Sequence, residues 1–187
     1  MGAIPSVSLP AITTCAKDLP CSQKCYAARI CKFRKNVRLS YENNLKILKH
    51  SPDTYWYDVE YEVTKTDYFR FHVSGDIVDQ DYFVHMIDIA RRHSDTQILA
   101  FTKKYDIVNS VLDNLKEFPS NLHIVFSAWP GIKMNNPHQL PVAEVIFRGQ
   151  SPQNDWKICE GNCFDCASRN SGCWNIEKGE TIAFSEH

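Results

Sequence analysis

Apolar positions along this chain switch between a period near 3.6 and a period near two, the spacings of helix and strand. Residues 36–50 place Val37, Tyr41, Leu45 and Leu48 on one helical face, and Ser51-Pro52-Asp53 breaks that helix. Residues 54–64 fit either period: Tyr55, Tyr57, Val59, Tyr61 and Val63 alternate, while Trp56, Val59 and Val63 suit a helix. The surrounding architecture favours helix. A helix over 79–93 turns Tyr82, Phe83, Met86, Ile87 and Ala90 inward, and one over 105–117 does so with Ile107, Val108, Val111, Leu112 and Leu115. Strands are predicted at 4–9, 68–74, 97–103, 122–128, 143–148 and 181–186, while the Pro- and Asn-rich 129–141 is a long connection.

Strands alternating with helices indicate parallel βα units. Six or seven strands in 187 residues fall short of a full eight-fold barrel, which takes about 200–250 residues. The expected fold is therefore a small or partial TIM-like (β/α) barrel forming a single domain over 1–187. Cysteine-rich loops lie at 1–35 and 150–180. A doubly wound sheet is the runner-up, but 129–180 offers few helices for its second face. A weak repeat (His72-Val73-Ser74, Ala100-Phe101-Thr102, Val125-Phe126-Ser127, Ala183-Phe184-Ser185) sets a hydroxyl after an apolar residue near strand ends. With the apolar residue toward the helices, the hydroxyl points to the barrel interior. Arg70, His72, His123, Glu144 and Arg148 can share that side.

All eight cysteines fall into two windows. Cys15, Cys21, Cys25 and Cys31 form the first, Cys159, Cys163, Cys166 and Cys173 the second, with none at 32–158. No secretory signal is evident at the N-terminus and no run of 18 apolar residues occurs, so a cytoplasmic protein with reduced thiols is expected rather than a disulfide framework. The second window, C-x3-C-x2-C-x6-C, can converge on a tetrahedral zinc or on a cubane iron–sulfur cluster. A single C-x2-C pair favours the cluster. The first window follows the first strand, where the functional loops of βα barrels lie. Three thiolates there leave one iron open, and Cys31 either closes the site or is a thiol of the following helix. If first and last strands pair, the windows become neighbours able to exchange electrons.

Charge is uneven. Residues 1–50 carry nine Lys or Arg and two acids, within a net charge of −1 for the whole chain. This allows nucleic acid as a partner, against a plainer reading as a solvated helix face beside anionic thiolates. No Ser/His/Asp order, phosphate-binding glycine loop or zinc-protease helix is present.

Several motifs together resemble the phage gene product 88 family, so that a phage-encoded chain would work in the host cytoplasm. They are Ser8-Leu9-Pro10-Ala11, Cys15/Cys21/Cys25-Tyr26-Ala27, Asn44-Leu45, His72 to Asp76, Phe101-Thr102-Lys103 and Cys173-Trp174. The resemblance implies architecture and metal residues, and leaves Cys31 outside the pattern. A second, fainter similarity is to radical S-adenosylmethionine enzymes, through a cysteine loop after the first strand and Ser74-Gly75-Asp76 after the second. The first window departs from their C-x3-C-x2-C, with Ala28 where a third cysteine would stand. This similarity implies S-adenosylmethionine as a cofactor held by Ser74, Gly75, Asp76, Thr102 and Ser127. Ser74, Asp76 and Lys103 are the catalytic candidates. The reading is one or two 4Fe–4S clusters and redox or radical chemistry with a small-molecule substrate or an electron-transfer partner. The alternative is a zinc-stapled module binding nucleic acid.

Overall fold

The structure is a computed structural model that describes residues 4–16, 18–153 and 155–186. Seven strands form one sheet: β1 (Ser6–Val7), β2 (Tyr68–Phe71), β3 (Gln97–Thr102), β4 (Leu122–Ser127), β5 (Val142–Ile146), β6 (Lys157–Ile158) and β7 (Thr181–Ser185). Their order is β1-β2-β3-β4-β5-β7-β6, and every pair is parallel. Six α-helices accompany them: α1 (Tyr26–Phe33), α2 (Lys35–His50), α3 (Pro52–Val63), α4 (Gln80–Arg92), α5 (Tyr105–Leu112) and α6 (Cys163–Ser168). The 54–64 segment is helical, within α3. There Tyr55, Trp56, Val59 and Val63 form the buried face. Pro52 is tolerated at the helix start, where its missing N–H has no partner to lose.

The strand register sorts side chains into two layers. Phe69, Ile98 and Leu122 stand in line, as do Phe71, Ala100 and Ile124. They form the main core with α2 to α5, chiefly through Leu45, Val63, Phe83, Ile87 and Val108. Arg70, Leu99 and His123 stand in line on the opposite face, followed by Phe101 with Val125 and by Ala143 with Ile182. No layer of helices covers that face. The C-terminal cysteine segment does, burying Ala167, Trp174 and Ile176 against Leu99, Val125, Ala143 and Ile182. The sheet is wound on one side only, so it is not doubly wound.

The barrel does not close. β1 and β6 are opposite edges, and the first strand does not pair with the last. Closure needs two edges able to share a hydrogen-bond ladder. Both edges here are two residues long, and β7 lies inside β6. The groove that closure would enclose is filled by the segment around Trp174.

The hydroxyl repeat also needs correction. Phe101 and Phe184 face the plugged side, their rings edge to face at 5.7 Å. Thr102 and Ser185 therefore alternate to the helix side. Phe126 faces the helices, so Ser127 is inward. Arg70 and His123 face the plug as expected. Glu144 alternates away from Ala143. His72 has a left-handed backbone (φ 59°) and turns its ring to Tyr82 of α4, Nε2 lying 3.1 Å from the hydroxyl.

Candidate metal centres

All eight cysteines are free thiols, so the two windows are not a disulfide framework. The second is built on tight turns. Gly161 takes φ 82° and its N–H points at the Cys159 sulfur, 3.4 Å away. The Asn162 side chain caps α6 by accepting from the N–H groups of Phe164 and Asp165, which sets Cys163 and Cys166 on one short helix. Gly172, at φ 61°, lets the chain pass close to Cys166, since a Cβ there would lie 3.2 Å from its sulfur. Trp174, 2% exposed, anchors the set: its indole N–H donates to the Cys163 carbonyl at 3.2 Å and its ring meets Tyr68 edge on.

The four thiols of this window lie within one another's electrostatic reach. Burial pushes Cys173 up to about 12, and Cys159, Cys163 and Cys166 add to the rise. Burial likewise raises Cys159, with Cys163 and Cys166 contributing. The one cation that opposes both is Arg70, whose guanidinium lies 3.5 Å from the Cys163 sulfur and over the Phe101 ring. The sequence placed Arg70 on the inward side but gave it no role at the thiols. Its signal was a cation inside an otherwise aromatic strand, Tyr68–Phe71.

The first window begins after β1 and runs over the C-terminal ends of the strands. Cys21 lies on a 3-10 turn, Pro20–Lys24, and Cys25 caps α1, its sulfur 3.4 Å from the Ala28 N–H. Lys24 ties the loop across the sheet to Glu186 beyond β7, at 2.6 Å. Burial pushes Cys15 up to about 11, and Asp76, Cys25 and Cys21 add to the rise. Burial raises Cys21 too, against the Lys103 ammonium nearby. Cys15, Cys21 and Cys25 therefore form a set with Asp76 and Lys103. Cys31 lies to one side on α1, where Arg38, Cys25 and Glu42 are its charged neighbours. Among the described residues, no group of three or more His, Cys, Asp or Glu side chains is placed to hold one metal ion.

Asp76 is the polar centre beneath this loop. It is 4% exposed. One carboxylate oxygen accepts from the Thr102 hydroxyl at 2.6 Å and the Ile77 N–H at 2.8 Å, the other from the Lys103 N–H at 2.9 Å. Burial pushes its carboxyl up, while these donors and the Lys103 charge hold it down. Lys103 extends to the Ser127 hydroxyl at 2.6 Å, and Tyr105 donates to the Ser127 carbonyl. Asp76, Thr102, Lys103 and Ser127 are thus one connected network. Asp79, not Asp76, caps α4, through a bond from the Tyr82 N–H. Ser74 is buried, and its hydroxyl has no partner among the described residues. Gly75 allows the chain to turn at φ 79° against the Leu9 carbonyl and the Thr14 hydroxyl.

The two windows meet through Tyr26. Its hydroxyl donates to the Val73 carbonyl at 2.6 Å, and the side chain feels Arg70, Cys25 and Cys163 together. Tyr26 was visible in sequence only as the neighbour of Cys25. The windows therefore approach each other without barrel closure.

The family follows from the span of chain that holds these features. The Gene product 88 family profile matches residues 2–173, from before β1 through Cys173. The chain belongs to the Gene product 88 family. Comparison with the curated proteins and with the solved structures gives no match. The matched residues include both cysteine windows, the Asp76 turn and the whole sheet except β7. Within this Gene product 88 fold no described helix is long and apolar enough to cross a membrane.

Raised thiols have a consequence for stability in the metal-free protein. In the unfolded chain these cysteines titrate near 9.0, whereas Cys15 and Cys173 hold their protons to about 11 and 12 when folded. Between those values the folded state binds more protons than the unfolded state, so stability falls as pH rises. The urea midpoint of metal-free protein is expected to drop from pH 8 to pH 10.5. A flat profile would contradict the thiol environments described.

Proposed function

We propose that the protein is an iron–sulfur protein whose first cysteine set works on a small-molecule substrate by redox or radical-type chemistry. The observation that carries this reading is the gathering of Cys159, Cys163, Cys166 and Cys173 within one another's reach, half-buried, with the Arg70 guanidinium 3.5 Å from the Cys163 sulfur. Buried thiols with raised proton affinity are poor ionic groups by themselves. A metal centre stabilises them as thiolates and releases their protons. The second window has a single C-x2-C pair where zinc sites favour two, which favours a cluster over zinc.

Each part of the chain has a role in this reading. Cys159, Cys163, Cys166 and Cys173 would hold one cluster, with the Gly161 N–H and Arg70 beside its sulfurs, the kind of contact that tunes potential. Cys15, Cys21 and Cys25 would hold the other. A cluster with three protein ligands supplies single electrons and an iron open to a ligand such as S-adenosylmethionine. Asp76 and Lys103 provide opposite charges beside that position, locked by Thr102 and Ser127, so they orient a polar ligand without moving. Tyr26, within electrostatic reach of Cys25 and Cys163, would link the two sets.

Anaerobic purification tests the reading. The expected product is brown, absorbs broadly at about 400 nm and contains iron and acid-labile sulfide. Added S-adenosylmethionine should change the paramagnetic signal of the first cluster. A colourless protein with stoichiometric zinc would overturn the reading in favour of a zinc-stapled module. In that case Lys32, Arg34, Lys35 and Arg38, exposed on α1 and α2 and between them, become the surface to test with nucleic acid.

A further inference from the structure

A cleft of about 660 Å³ opens between Ala16, the first turn of α5 and the loop after β4, lined by Lys103, Lys104, Lys133, Asp106, Met134 and Asn135 among others. Three lysines line it with one acid, exposed Asp106, and the ammonium of Lys103 is fixed on Ser127 near buried Asp76. Among the described residues, none of the three lysines forms an ion pair. What sets the cleft apart is the number of lysines that converge on one concave surface with a single acid. Unmatched cations in a concave site focus a positive potential on whatever enters it.

We propose that this cleft binds a multiply charged phosphate-bearing small molecule of nucleotide size. Three lysines match two or three negative charges better than the single charge of a carboxylate. The volume is ordinary for a small-molecule site and far exceeds a lone phosphate. Met134 and Ile107 give one wall an apolar surface for the remainder of the ligand. Lys103 connects the cleft to the centre, since its ammonium is fixed on Ser127 and lies near Cys21. Ala16 follows Cys15 directly. The ligand is thereby a substrate or co-substrate class for the proposed centre. That role rests on the iron–sulfur reading, although the binding itself does not.

Calorimetric titration with inorganic diphosphate and with a nucleoside triphosphate tests the proposal, on purified protein whose iron content is measured in parallel. Lys104→Gln and Lys133→Gln are each expected to weaken diphosphate about fivefold to tenfold. Lys49→Gln, at the far end of α2, should leave the affinity unchanged. Circular dichroism checks that each variant is folded. Wild-type protein that binds neither probe overturns the inference, as does equal weakening by Lys49→Gln. Tighter binding of a single-stranded oligonucleotide than of the triphosphate also overturns it, in favour of a strand-binding groove. Binding in protein that lacks iron sinks the cluster reading alone, and iron-loaded protein without binding sinks this inference alone.

Discussion

Cys163→Ser is expected to remove about half of the protein's iron and of its absorbance near 400 nm, with Cys21→Ser removing the other half. The estimate rests on two clusters of equal size, each losing a thiolate that a serine hydroxyl replaces poorly. Cys163 suits this test because its side chain can change with little disturbance to the fold. The Trp174 indole bonds to its carbonyl, and the α6 cap belongs to Asn162. Cys31→Ser is expected to leave iron unchanged, since Cys31 neighbours Cys25, Arg38 and Glu42 but, unlike Cys21 and Cys25, does not act on Cys15. Iron and sulfide analysis of the three variants reads all of this directly. Full iron in both Cys163→Ser and Cys21→Ser would remove the metal reading of the windows. Loss with Cys31→Ser equal to that with Cys21→Ser would make the first set four-ligand and closed.

The second large effect is on stability. Gly75→Ala should cost about 2–5 kcal/mol, from a strained left-handed backbone and forced contacts together. The backbone at φ 79° disfavours any Cβ, and that Cβ would lie 2.7 Å from the Leu9 carbonyl oxygen and 2.6 Å from the Thr14 hydroxyl. Thr14 can rotate only by giving up its bonds to the Pro10 carbonyl and the Asp76 N–H. Leu9 cannot retreat, because its N–H is held by the Ser74 carbonyl and its side chain is fully buried. For a chain of this size the loss corresponds to a melting point lowered by roughly 5–15 °C. Differential scanning fluorimetry would show it. A shift below 2 °C would mean that the turn is looser than described.

Much of this architecture was legible in the sequence because single elements carry their own signal. The alternation in Phe69–Phe71, the apolar run Ile98–Ala100 and the 3.6 spacing in α4 mark strand and helix locally. The α3 segment shows the limit. Its tyrosines alternate like a strand, and only the packing of Trp56, Val59 and Val63 on one face selects helix. Closure was not legible, because pairing between distant edges leaves no local trace in chains as short as Ser6–Val7 and Lys157–Ile158. The same holds for facing: Phe101-Thr102 and Phe126-Ser127 look alike in sequence, yet strand register turns their side chains in opposite directions. At the site, spacing showed which cysteines group together, and the Ser-Gly-Asp turn was visible as a motif. The bonds from Asp76 to Thr102 and Lys103, and the placing of Arg70 on Cys163, join residues 26 to 93 positions apart. Such contacts arise only after folding.

The plug on the open face also sets an order of events during synthesis. Leu99 and Val125 wait for cover from Trp174, Ile176 and Ile182, which leave the ribosome later by roughly 2–17 s at about 5–20 residues per second. In that interval the half-built sheet shows an apolar face and no final strand. The C-terminal segment is thus the last piece the fold needs.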